Sequence, residues 1–96
     1  MSRQETIDRL IALIDDDHGP RAADLIAARR KLFASAKKRI GKADTLVREV
    51  NATIDQLVLA MLRSDQLAIP VLHESLRMTL AQLSELWADE AHAGFH

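Results

Sequence analysis

Four histidines, a run of three aspartates and a block of lysines and arginines are the residues of this chain best suited to do chemistry. Asp15, Asp16, Asp17 and His18 put oxygen donors together, which suits magnesium or calcium, but they lack the alternating ligand spacing of a calcium loop. With no second ligand cluster nearby, they are read as a polar loop or as local partners for arginines. His73 lies at the edge of an apolar stripe, one turn before Arg77. A phosphotransfer histidine would be edge-exposed in the same way. It is usually followed by a lysine and a small residue, however, and here Glu74, Ser75 and Leu76 follow. A boundary histidine is therefore expected. His92 and His96 are four apart, a metal-capable spacing on a helix, but they flank Gly94 in a tail expected to fray. Glu-x-x-His pairs of the kind that hold a di-iron centre are absent, and there is no cysteine. No catalytic residue, cofactor or metal site is assigned, and the chain is read as a non-enzyme.

The basic block is more distinctive. The net charge is −1, yet residues 21 to 42 carry eight Lys and Arg against Asp24 alone, so this window is +7 and the remainder −8. On a helical wheel Arg30, Lys31, Lys37, Lys38 and Lys42 share one face, with Ala27, Ala34, Gly41 and Thr45 between them. Such a face could track phosphates or an acidic protein surface, although charge runs are commonly just solvated. No aromatic residue lies among these bases to stack a nucleobase.

The elements that position these groups follow from the apolar pattern. With 96 residues and 48% hydrophobic content, the chain is one domain, 1–96, with a thin core. Its 15 alanines and few Gly and Pro favour helix. Ser2 and Glu5 have the spacing of a capping box. Ile7, Leu10, Leu13, Ile11 and Ile14 then make the apolar face of a helix from about 3 to 16. Gly19 and Pro20 stop it, leaving 17–20 as a tight connection.

From Pro20 to Arg63 the helical period never fails. Ile26, Phe33, Ile40, Val47, Ile54 and Met61 are seven apart, and Ala36, Ala43, Val50 and Leu57 lie three residues after their partners, the seam of a coiled coil. A continuous helix of about 44 residues is favoured because the heptad phase survives through residue 41. The alternative is a stop and restart at Gly41, with basic residues before it and Asp44 after it. That would give a four-helix monomer. A third helix is expected from Pro70 to about 89, with Ile69, Leu72, Leu76, Thr79, Leu80, Leu83, Leu86 and Trp87 on one stripe. Ser64 to Ile69 is the connection.

The resulting expectation is an all-α helical hairpin or bundle. It has a short first helix, a long heptad-patterned second and a third. It would self-associate as a homodimer of four-helix type through Ile26, Phe33, Ile40, Val47, Val50, Ile54, Leu57 and Met61. The favoured function is a protein–protein interaction module, such as an adaptor, chaperone-like subunit or inhibitor. Its partners would be a second copy and another protein, one with an acidic surface if the basic face is used. The alternative is nucleic-acid or nucleoprotein binding through the basic face of residues 29–42. A third reading is a small helical enzyme acting on an anionic substrate. With no signal peptide or membrane span in the pattern, a cytoplasmic location and no membrane partner are expected.

Overall fold

The computed structural model describes residues 3–16, 19–35 and 41–93, with side chains to residue 89. It contains four helices: α1, Arg3–Asp15; α2, Ala22–Ser35; α3, Gly41–Leu62; and α4, Ala68–Ala93. Each packs on the next, and α1 closes the ring on α4. The result is an elongated antiparallel bundle, 49 × 22 × 19 Å. Its long direction is set by α4, which at 26 residues is about 39 Å long.

Two helices therefore stand where one long second helix is favoured by the heptad phase. α2 ends at Ser35 and α3 starts at Gly41, whose φ is +59°. That left-handed value is incompatible with a helix running straight through the residue, and it carries little cost at glycine. Residues 36–40, including Ala36 and Ile40 of the seam, lie outside the described residues.

Once the helix is broken, the α3 part of the seam is buried within the chain. Val47, Val50, Ile54 and Leu57 are fully enclosed by the chain's own helices. α2 also turns out of phase with the seam. Its buried residues are Leu25, Ala28 and Leu32, spaced three and four apart, while Ile26 and Phe33 move to the edge of the core. Met61 is likewise only partly buried. The physical reason is that α2 must pack between α1 and α3, so its face points to the bundle axis and not to a partner helix.

The other two apolar stripes match their expectation. Ile7, Leu10 and Ile14 of α1 are buried, with Ile11 and Leu13 packed at the margin. Leu76, Thr79, Leu80, Leu83 and Trp87 of α4 are buried, with Ile69, Leu72 and Leu86 beside them. Buried hydroxyls are satisfied locally: Thr6 donates to the Arg3 carbonyl at 2.7 Å and Thr79 to the Ser75 carbonyl at 3.0 Å.

The connections are tight and specific. Gly19, φ +75°, donates its N–H to the Asp16 carbonyl at 2.9 Å and turns the chain out of α1. Pro20 falls just ahead of α2, and the Arg21 carbonyl accepts the first helical bonds, from Asp24 and Leu25, at 3.1 Å. At the other end of the bundle, the Asp65 N–H reaches the Ala60 carbonyl at 2.9 Å and the Ser64 N–H the Met61 carbonyl at 3.2 Å. This is a Schellman termination, with Ser64 at φ 53° in the place glycine usually takes. Asp65 then caps α4, its carboxylate accepting from the N–H groups of Leu67 at 3.3 Å and Ala68 at 3.1 Å. α4 accordingly starts two residues before Pro70, which sits in its first turn.

Candidate interaction surfaces

α1 is fixed along α4 at both of its ends. Near its start, the Arg3 guanidinium lies over the Trp87 ring, 4.8 Å from the centroid, and the Gln4 carbonyl oxygen accepts from the Ser84 hydroxyl at 2.9 Å. At its finish, Asp15 pairs with Arg77. α1 is thus laid against the stretch from Trp87 to Arg77, and the first turns of α4 project beyond it. α2 is fixed to α3 by the ion pair of Arg29 with Asp55.

Apolar surface remains exposed on the outer side of α3 and α4. The exposed large hydrophobic residues are Leu59, Leu62, Leu67, Val71 and Met78, from 50% exposure at Leu59 to 87% at Leu67. All five belong to α3, α4 or the turn between them. Among the described residues, α1 and α2 contribute none. Val71, Ser75, Met78 and Gln82 follow one another at helical spacing along α4, and with Glu49 of α3 they line a groove of about 610 Å³. A second hollow continues it toward the turn. That hollow is lined by Gln56, Asp65, Leu67, Ala68, Val71 and Leu72, so Val71 is common to both.

The electrostatics of the groove are one-sided. Pro70, Glu74 and Thr79 complete the lining of its first stretch. Glu49, Glu74 and Asp65 therefore border the two stretches, and no lysine or arginine does. Arg63 lines a third hollow that shares Gln56, Asp65, Ala68 and Leu72 with the second, so the acidic bias holds for the first stretch and not for the end near the turn. Arg77 bonds Glu74 at 3.1 Å and also pairs with Asp15.

The basic face of the helical wheel assumes one helix through Gly41, and the break divides its described residues between α2 and α3. Arg30 and Lys31 are exposed on the outer side of α2, with Ala27 and Ala34 exposed beside them, and Lys42 is exposed at the start of α3. Lys37 and Lys38 lie outside the described residues. Arg29, next to this face in sequence, turns inward to Asp55 and is a structural partner.

Of the aspartate run, Asp15 pairs with Arg77, an arginine distant in sequence, while Asp17 and His18 lie outside the described residues. His96 also lies outside them, as does the side chain of His92. Among the described residues, no group of three or more His, Asp or Glu is placed to hold a metal ion. His73 is half-buried at the margin of α4. Its Nε2 is enclosed with no hydrogen-bond partner among the described residues. Burial, and then the neighbouring Arg77 charge, hold its pKa below the ordinary 6.5. No described helix is long and apolar enough to cross a membrane.

The groove was not legible in the sequence. Leu67, Val71 and Met78 are spaced to lie across α4 from its buried stripe, and only the packing shows that no described helix covers them. Comparison with known proteins returned no matching family model, no matching characterised protein and no matching solved structure.

Proposed function

We propose that this chain is a helical protein-interaction module whose working surface is the outer side of the α3–α4 hairpin. One observation carries the reading: every large exposed hydrophobic residue described falls on that hairpin. Large apolar side chains exposed together on one hairpin, with Val71 and Met78 lining one groove, suit a binding site on a small domain. The heptad seam does not enter the proposal, because Val47, Val50, Ile54 and Leu57 are used inside the chain. Opening the core to pair them with a second copy would expose what the fold buries.

The second reading is nucleic-acid or nucleoprotein binding through the outer face of α2. It rests on Arg30, Lys31 and Lys42 being exposed, with no ion pair to other described residues.

Photo-crosslinking separates the two. A benzophenone side chain is placed at Met78 in one variant and at Lys31 in another, in cells that make the protein. The proposal expects another protein to be captured from position 78 and not from 31. Capture of protein or nucleic acid from position 31 alone favours the second reading. Recovery of only a second copy from position 78 overturns binding to another protein there.

A further inference from the structure

We infer that the α3–α4 groove takes an amphipathic helix of another protein that carries an apolar stripe flanked by lysine or arginine. This rests on the interaction-module reading and deepens it by naming the partner's chemistry.

Shape gives the first part. From Ala68 to Gln82, α4 lines the two hollows, which meet at Val71, over about 21 Å at 1.5 Å per residue, the length of a four-turn helix. Val71, Ser75 and Met78 offer an apolar-to-small floor at the 4, 3 spacing into which the ridge of another helix packs. The chain covers the other side of α3 and α4 in this way, with its own α1 and α2.

Charge gives the second part. Glu49 and Glu74 border the first stretch, with no cationic side chain among its described lining. Glu49 is exposed and makes no ion pair with another described residue. Glu74 is matched on one side only, by Arg77. An incoming helix with bases beside its apolar stripe meets these carboxylates favourably, and one with acids is repelled.

The same charges disfavour a second copy. Two grooves pressed together about a two-fold axis would set Glu49 and Glu74 of one chain against the same acids of the other. An anionic membrane surface is disfavoured for the same reason.

The test uses the full chain and three labelled synthetic peptides of about 16 residues. The first has leucines on one helical stripe and lysines beside it. The second has glutamates in place of the lysines. The third has the first peptide's composition with the stripe scrambled. Binding is read by fluorescence polarisation.

The expected result is binding of the first peptide about tenfold or more tighter than either control, weakening with added salt. Glu49→Lys and Met78→Glu, both at exposed positions, should each weaken that binding several-fold, with circular dichroism unchanged. Equal binding of the lysine and glutamate peptides overturns the partner's charge. Equal binding of the scrambled peptide overturns the helical stripe. Sedimentation of the wild-type chain as a dimer that Met78→Glu returns to monomer assigns the groove to a second copy and overturns the inference. A partner crosslinked from position 78 whose contacting segment is acidic overturns it too, while leaving the interaction-module reading intact.

Discussion

Asp15, the last residue of α1, is paired with Arg77 of α4, 62 positions further along the chain. A carboxylate is poorly placed at a helix C-terminus, where the backbone dipole is already negative. Arg77 offsets that charge and also bonds Glu74, so one guanidinium ties the end of α1 to α4.

Because both partners are about half exposed, solvent screens the pair heavily. Asp15→Asn should change stability by less than about 1 kcal/mol, since the lost pair is offset by relief at the helix end. A double-mutant cycle with Arg77→Gln, followed by urea denaturation, should give a coupling of roughly 0.5 kcal/mol that shrinks in 1 M salt. A coupling above 2 kcal/mol would mean the pair is more enclosed than it is here.

Gly41 separates the two-helix arrangement from a continuous rod by the sign of one substitution. With φ at +59°, Gly41→Ala should destabilise the chain by about 1 kcal/mol. Nothing lies within 4 Å of an added Cβ, so crowding contributes nothing. In an unbroken helix the same change would stabilise by about 1 kcal/mol. Thermal or urea denaturation of the single variant decides it.

Core and surface positions of one helix should respond oppositely to charge. Val50 is fully buried in α3, so Val50→Asp should cost several kcal/mol and leave the chain largely unfolded. Leu59, half exposed on the same helix, should accept Leu59→Glu within about 1 kcal/mol. Circular dichroism melts of both variants check the contrast.

His73 gives the chain a pH dependence of known sign. Its pKa in the fold is below 6.5, first through burial and then through Arg77. The unfolded chain therefore binds the proton more readily. The stability this residue contributes is complete above about pH 6.5 and is lost as pH falls from there through the folded pKa. His73→Gln should reduce the drop in stability between pH 7.5 and pH 5.5, measured by urea titration at both. An identical drop in the variant would assign it to other groups.

Much of the helix content was legible because each stripe reports one local fact, that residues three and four apart share a face. Ile7, Leu10 and Ile14 in α1, and Leu76, Leu80, Leu83 and Trp87 in α4, are buried as their spacing dictates. So were the stop at Gly19 and the contrast between the basic outer side of α2 and its apolar inner side. The heptad through residues 26 to 61 was less informative than its regularity suggests. Val47, Val50, Ile54 and Leu57 obey it, but in α2 the core is met by Leu25, Ala28 and Leu32. A periodic stripe names a face without naming what the face meets, and adjacent stripes on a wide apolar face are equivalent until a neighbour selects one. The caps at Ser64 and Asp65 are short-range and readable in principle from Ser-Asp after an apolar run; the motif simply lacks its usual glycine.

The sequence alone determined that the chain is helical, where three of its apolar faces lie, and that Arg30 and Lys31 stand on the outer side of α2. Its local preferences are decided within one or two turns, by capping, spacing and the freedom of glycine. The tertiary structure alone decided that the α3 part of the heptad seam is buried by the chain's own helices, that Asp15 finds Arg77, and that Val71 and Met78 stay exposed. Those outcomes depend on how the four helices pack side by side and which face each turns to its neighbours. Such distances arise between residues far apart in the chain, and no periodicity along it encodes them.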